Sequence, residues 1–202
     1  MKKLFIMASG LLLGSVAPLV ASSEQLMKAV RAKDLDQVKA AFAGSLSEQQ
    51  KANLVNFQDN SGPVRSTNSP LMEAVNKGRR DIVEFLLSKG ANSNFKNATQ
   101  TLLHIAADRG RIDIAELLLA HGADINAREG LDNTTPLMGA ALNGHLDMVK
   151  FLVSKGANLK ARDKAGADVL EYAKDSENQK LIEYLKPLVA EANKPTVTGG
   201  AA

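Results

Sequence analysis

Between Thr101 and Asn126 apolar positions recur in two short helical patterns, and a glycine follows each one. Thr101 is placed to cap the first helix, because its side-chain oxygen can accept a backbone N–H of the first turn. Gly110 and Gly122 can take the positive φ that ends a helix. Two such short helices cannot bury both apolar faces alone, so the pattern predicts copies of the unit on either side. The apolar positions are Leu103, Ile105, Ala106 and Ala107, then Ile112, Ile114, Leu117, Leu118 and Leu119.

The same pattern recurs before and after this stretch. The preceding copy opens at Ser69-Pro70 and closes at Gly90, and the following copy opens at Thr135-Pro136 and closes at Gly156. Proline suits the first helical position, because the N–H that it lacks would have no partner there. Gly122 follows Gly90 by 32 residues and precedes Gly156 by 34. The difference falls in the loops before the first helices, where a fixed helical core tolerates insertions.

This unit resembles the ankyrin repeat, whose period is about 33 residues. The resemblance implies an all-α solenoid of about five repeats, in which helix-turn-helix pairs alternate with hairpin loops. Polar outer faces at both ends fit divergent capping repeats, because no neighbour covers a terminal unit. The implied repeats are residues 24–59 (an N-terminal capping repeat), 66–97, 98–130, 131–163 and 164–187 (a C-terminal capping repeat).

Residues 1–23 have the layout of a secretory signal peptide. Lys2 and Lys3 precede an apolar run, and cleavage is expected after Ala21, Ser22 or Ser23. The alternative is an uncleaved membrane anchor, which is disfavoured because the run is short and diluted by glycine and serine. We therefore expect no stable membrane anchor after cleavage. A cysteine-free product with such a signal favours the bacterial periplasm as its location.

Three other stretches depart from the repeat pattern. Residues 45–53 are longer than an inter-repeat loop and have room for an added helical turn, and residues 63–67 lengthen a hairpin. Pro187 is expected to end the last helix, because it cannot donate a backbone hydrogen bond. Towards the end of residues 188–202 the composition is dominated by proline, threonine, glycine and alanine, which predicts a disordered tail.

Composition removes several classes of function. The formal charge of +3 includes Lys2 and Lys3, and without the leader 23 bases face 22 acids. A chain so nearly balanced has no long-range field that would attract nucleic acid or anionic lipid. The absence of cysteine excludes disulfides and thiol catalysis, and the absence of tryptophan leaves few rings on which bases could stack.

The three histidines are the obvious candidates for catalysis. His104, His121 and His145 fall at positions where the ankyrin family often has histidine, and for His104 and His145 the resemblance implies hydrogen bonds to neighbouring loops and helix ends. No metal-ligand spacing, nucleophile motif or phosphate-binding glycine loop accompanies them. We expect no enzyme, and we predict no catalytic, cofactor-binding or metal-binding residues.

A binding surface is easier to predict. In a stack of helix pairs, first helices and hairpin tips line a groove, where side chains that the core does not need are available to a partner. Aligned hairpins give a column of bases at Lys96, Arg128 and Arg162, beside a mostly acidic column. The bases could meet an acidic stripe on a partner, but we favour the alternative that the acids only tie down the turns. Leu142 differs, because an exposed apolar residue has no stabilising role there. The predicted binding residues are Arg65, Asn76, Lys77, Lys96, Asp108, Arg109, Arg128, Asp132, Leu142, Asn143, Arg162 and Lys164.

These features predict a monomeric, non-catalytic module that is exported to the periplasm and binds another protein. One role is that of a scaffold or accessory factor for a periplasmic enzyme, with stress defence suggested by the compartment alone. The other is that of an immunity protein or inhibitor that blocks a toxin or hydrolase. The mixed surface charge favours the scaffold, because an inhibitor tends to present one dominant charge to its target.

Overall fold

The structure is a computed structural model that describes residues 16–44, 46–59 and 68–194. Within these residues the regular structure is helical, apart from three isolated antiparallel bridges. The helices are α1 (Val16–Ala32), α2 (Leu35–Ala40), α3 (Glu48–Val55), α4 (Pro70–Lys77), α5 (Arg80–Ser88), α6 (Leu102–Asp108), α7 (Ile112–Ala120), α8 (Pro136–Leu142), α9 (Leu146–Ser154), α10 (Val169–Asp175) and α11 (Gln179–Ala192).

The helices form five antiparallel pairs, α1/α2, α4/α5, α6/α7, α8/α9 and α10/α11. The first helix of each pair packs on the first helix of the next, and the second helices from α2 to α9 form a row beside them. Helix α3 is an addition that packs on α1. This arrangement confirms the predicted all-α solenoid.

Each internal first helix begins at a hydroxyl side chain. The side-chain oxygens of Ser69, Thr101 and Thr135 accept a hydrogen bond from the backbone N–H three residues further on. The expected cap at Thr101 is thereby confirmed. Proline occupies the first position of α4 and of α8, where no helical hydrogen bond is lost.

The second helices end in a repeated turn. Gly90, Gly122 and Gly156 have φ values of 83°, 84° and 89°, a region that favours glycine. At the middle turn the Gly122 N–H donates to Leu119 O and the Ala123 N–H donates to Leu118 O, both at 3.0 Å. This pair of backbone hydrogen bonds closes the helix and directs the chain into the hairpin. The equivalent turns after Gly90 and Gly156 have the same two bonds.

One continuous apolar core runs through all five pairs. Ala106 and Ala107 in α6, like Ala140 and Ala141 in α8, are fully buried, so neighbouring first helices can approach closely. The second helices bury a narrower stripe of side chains than the first helices do, and their outer side is exposed to solvent.

The first helix begins within the predicted leader. Helix α1 starts at Val16, before the predicted repeat boundary at residue 24, and runs through the predicted cleavage positions. Pro18 does not prevent this, because it lies in the first turn, where its missing N–H would have no helical acceptor. The rest of the predicted leader lies outside the described residues. Within those that are described, no helix combines the length and apolar character that a membrane span requires.

The prediction that Pro187 ends the last helix is wrong. Helix α11 continues to Ala192 with Pro187 inside it, so residues 188–192 do not belong to the predicted tail. An internal proline costs a helix about 3 kcal/mol. Leu181, Leu185 and Val189 lie four residues apart and are all buried, and their continuous apolar stripe offsets that cost. Residues 195–202 of the predicted tail lie outside the described part of the chain.

The long connection after the first pair contains α3, which is more than the single added turn that the sequence suggested. The Ser47 oxygen accepts from the Gln50 N–H, and the Gln50 side chain accepts from the Ser47 N–H. This reciprocal cap explains why α3 starts where it does. The predicted long fingertip, residues 63–67 with Arg65, lies outside the described residues.

The stacking model makes a direct prediction about Leu118, which is fully buried in α7. Leu118→Ala should lower the free energy of unfolding by about 2–5 kcal/mol, because it leaves a cavity in a packed core. Chemical denaturation measures this. Leu119→Ala removes the same atoms from a half-buried position of the same helix and should cost clearly less. Equal losses of stability in the two variants would contradict the orientation of α7 in which Leu118 faces the core.

Candidate interaction surface

We use the word groove for the side of the stack that carries the first helices α4, α6, α8 and α10 and the hairpins that precede them. The hairpins are closed by antiparallel bridges at Lys96↔Thr101 and Glu129↔Thr134. Asparagines at their bases join successive repeats, since the Asn94 side chain donates to Gly122 O at 2.7 Å and accepts from the Asp124 N–H at 2.8 Å. The hairpins are therefore held in fixed positions relative to one another.

The histidines have structural contacts, as the resemblance implied. His104 is fully buried, and its Nε2 lies 3.1 Å from Thr134 O in the next hairpin. His145 Nε2 lies 2.9 Å from Asp108 O, and His121 Nδ1 lies 2.9 Å from Leu117 O. His104 and His145 thus tie a loop or helix end to the neighbouring repeat, whereas His121 contacts the last turn of its own helix. Among the described residues, no group of three histidine or acidic side chains is placed to hold a metal ion.

The predicted column of bases has mixed roles. Arg128 donates to the backbone carbonyls of Asn133 and Arg162, and Arg162 donates to Gly166 O at 2.6 Å and lies 3.7 Å from an Asp168 carboxylate oxygen. Both arginines therefore brace hairpins. Lys96 is exposed, and within the described part of the chain no ion pair involves it or Arg128.

In the neighbouring, mostly acidic column, two side chains stabilise their turns through hydrogen bonds. The Asp163 carboxylate accepts from Tyr172 Oη and from the Ala167 N–H, both at 2.8 Å. The hydrogen bond from Tyr172 lowers the pKa of Asp163. Asn97 likewise accepts from the backbone N–H groups of Thr99 and Gln100. Glu129 differs, because it is turned inward towards His104.

The predicted positions at the ends of the first helices are partly joined to each other. Arg109 Nη1 donates to Asn76 Oδ1 of the preceding repeat at 2.7 Å. Lys77 pairs with Glu73 of its own helix at 3.6 Å, and the Asn143 side chain donates to Gly139 O at 2.9 Å. These contacts hold polar groups of the groove in place before any partner arrives.

Two large apolar side chains are exposed among the described residues, and both belong to the repeat 131–163. Leu142 is 44% exposed at the end of α8, as the sequence predicted. Leu131 is 88% exposed at the tip of the preceding hairpin, beside Asp132. Sequence reasoning missed Leu131, although a leucine in an otherwise polar turn was a signal that could have identified it. The Asp132 carbonyl accepts from the Lys164 N–H at 2.8 Å, so adjacent hairpin tips are linked.

A buried polar cluster lies beneath the hairpin of Glu129. His104 Nδ1 lies 2.7 Å from Thr101 Oγ1 and 3.3 Å from Glu129 Oε2. Because Nε2 faces the Thr134 carbonyl, we assign the proton to Nε2, which leaves Nδ1 to accept the Thr101 hydroxyl. Glu129 Oε2 is buried and has no hydrogen-bond partner among the described residues.

Burial keeps both members of this pair uncharged in neutral solution. It lowers the pKa of His104 from 6.5 to about 4. Burial, helped by the nearby Asp108 carboxylate, raises the pKa of Glu129 from 4.5 to about 8. The short distance therefore joins two neutral groups and not an ion pair.

Asp108, a predicted groove residue, belongs to the same cluster. Gln100 Nε2 donates to its carboxylate at 3.1 Å, and burial raises the pKa of Asp108 against the opposing charge of Arg109. A Cβ atom on Gly139 would lie 2.2 Å from Asp108 Oδ1, so the glycine in α8 makes room for this carboxylate. Asp108 therefore lies at the junction of two repeats and is only half accessible.

Stacked helix pairs joined by hairpins define a class of protein, the repeat solenoids that use a groove for binding. The family model described as ankyrin repeats (3 copies) matches residues 26–129 and again residues 127–196. The chain therefore belongs to the ankyrin-repeat family, whose members generally serve as non-catalytic protein–protein interaction modules. The comparison with curated proteins yields no match.

The pKa shifts in the buried cluster predict how stability depends on pH. Between pH 4.5 and about 8 the folded chain retains a proton on Glu129 that the unfolded chain releases, so stability falls as the pH rises through this window. Between pH 6.5 and about 4 the unfolded chain protonates His104 before the folded chain does, so stability falls as the pH drops.

Glu129→Gln should therefore reduce the loss of stability between pH 6.5 and about 8, where only Glu129 of this pair acts. Urea denaturation across that range measures the effect. Glu116→Gln, at an exposed position of α7, is the control and should follow the unmodified protein. Identical pH profiles for all three proteins would show that Glu129 is not held in its protonated form.

Proposed function

We propose that this interaction module is exported to the periplasm and holds a partner protein against the groove as a scaffold or accessory factor for a periplasmic enzyme. The observation that carries the proposal is the exposure of Leu142 and Leu131 in one repeat. Burying a leucine side chain stabilises a complex by about 1.5–3 kcal/mol, whereas the free protein gains nothing from its exposure. Apolar anchors surrounded by polar groups are typical of binding hot spots.

The order already present in the groove supports the same proposal. The Arg109–Asn76 bond, the Asn143–Gly139 bond and the linked hairpin tips fix groups that a partner would contact. Binding to a surface whose side chains are already ordered has a smaller entropic cost.

Export is proposed from the leader sequence, and the first repeat is compatible with it. Cleavage after Ala21, Ser22 or Ser23 would remove the start of α1 and keep the part that enters the core. Leu26 and Val30 are fully buried, and both lie beyond the cleavage positions. The shortened helix would therefore still cover the next pair.

The groove carries bases and acids side by side, which favours a scaffold over an immunity protein or inhibitor. Exposed Lys77, Lys96 and Arg109 lie on the same side of the stack as exposed Asp132 and Asp175. An inhibitor that fills a charged cleft tends to present one dominant sign. The proposed compartment suggests a role in stress defence.

The test is crosslinking in the intact periplasm, followed by mass spectrometry of the captured protein. Leu142→Asp should leave the melting temperature almost unchanged, because Leu142 is exposed, but should weaken capture. Leu142→Asn removes the apolar contact without adding a charge, so an equal loss of capture in the two variants would assign the effect to the leucine side chain.

Glu116→Lys, on α7 in the second-helix row, is a further control that should capture the partner normally. Unchanged capture by Leu142→Asp would remove Leu142 from the binding site. Recovery of the protein in the cytoplasm with its leader intact would contradict the proposed location.

A further inference from the structure

A recess of about 270 Å³ lies between the tips of two neighbouring hairpins. Its walls include Lys96 and Gln100 from one hairpin and Arg128, Glu129 and Gly130 from the next. Its volume falls below the roughly 300–1,000 Å³ of pockets that bind drug-sized molecules and cofactors. The recess therefore has room for a side chain of a partner protein.

The recess arises from a difference in hairpin length. Thr101 follows Lys96 by five residues, whereas Thr135 follows the equivalent Arg128 by seven. The shorter hairpin leaves the flank of the longer one uncovered. At this junction the two hairpins differ in length because the repeat periods are unequal.

Two cations in the recess lack a carboxylate partner. Lys96 Nζ takes part in no ion pair within the described residues, and Arg128 makes its hydrogen bonds to backbone carbonyls, which carry no net charge. The one acid of the wall, Glu129, points its carboxyl group towards His104. Burial raises the pKa of Glu129 to about 8, so it does not neutralise the two bases at neutral pH.

Leu131 lies next to this site in the chain. It follows the wall residue Gly130 directly and is 88% exposed. The recess therefore combines two positive charges with an adjacent apolar side chain.

We propose that this recess receives the carboxylate side chain of an acidic residue in the partner protein, and that an apolar neighbour of that residue packs on Leu131. The inference rests on the proposed function, because it names the kind of partner segment that the groove would hold. Charge complementarity of this kind selects a partner and fixes its position.

The experiment is a titration of the ¹⁵N-labelled protein with the peptide acetyl-Glu-Leu-Glu-amide, followed by amide chemical shifts. The largest shifts should occur at Lys96, Gln100, Glu129 and Gly130. The matched peptide acetyl-Gln-Leu-Gln-amide should bind about two- to fivefold more weakly, which is the range expected for an exposed ion pair. Added salt should remove this difference, because it screens exposed charges.

Lys96→Gln is the best variant, because among the described residues the exposed Lys96 side chain makes no hydrogen bond or ion pair that the change would break. It should weaken binding of the acidic peptide by about two- to fivefold. Lys160→Gln makes the same charge change at an exposed site in another repeat and should have no effect.

Equal binding of the two peptides, or largest shifts elsewhere on the protein, would overturn the proposal. So would inorganic phosphate that shifts the same amides as strongly as the acidic peptide, since the site would then bind anions in general. Partner capture in the periplasm is a separate result: capture that depends on Leu142 but not on Lys96 would reject the recess alone. Peptide binding in the recess without any captured partner would reject the scaffold role alone.

Discussion

The apolar contact between successive first helices is the interaction on which the rest of this structure depends. Buried alanines such as Ala106 and Ala140 bring these helices close together, and the larger side chains on either side fill the space between pairs. Each pair is too small to fold around a core of its own, so its stability comes from its neighbours. The hairpins, the groove and the recess all take their positions from this stacking.

Hydrogen bonds across the turns support the stacking with varied chemistry. At four junctions a side chain of one repeat donates to a backbone carbonyl of the repeat before it, and the donors are Arg79, Arg111, His145 and Asn178. Three of these carbonyls belong to turn residues, whereas His145 reaches the carbonyl of Asp108 at the end of α6. Different side chains perform this task because each only has to reach a nearby backbone carbonyl. His145 therefore has a structural role at this position, because an arginine or an asparagine occupies the equivalent position in other repeats.

The polar cluster beneath the Glu129 hairpin connects the core to the binding surface. His104 holds the backbone of this hairpin, and Glu129 directs its carboxyl group inward, away from the column of bases. The cluster therefore fixes a hairpin and also leaves the neighbouring positive charges without an acid. One buried arrangement thus shapes both the stability of the fold and the character of the groove.

The sequence by itself determined the repeat. The signals that define it are local, because each depends on backbone geometry within a few positions. They are the glycines Gly90, Gly122 and Gly156, the caps Ser69, Thr101 and Thr135, and the helical spacing of apolar residues. The same reasoning identified Leu142 as an exposed apolar residue. It failed at Pro187, because the burial of Val189 is a tertiary contact that a local rule cannot include. Only the tertiary structure showed that Glu129 turns inward while Asp163 ties its turn, since both occupy the same column. Side chains at equivalent positions of a repeat meet different neighbours, and those neighbours decide burial, charge and access to a partner.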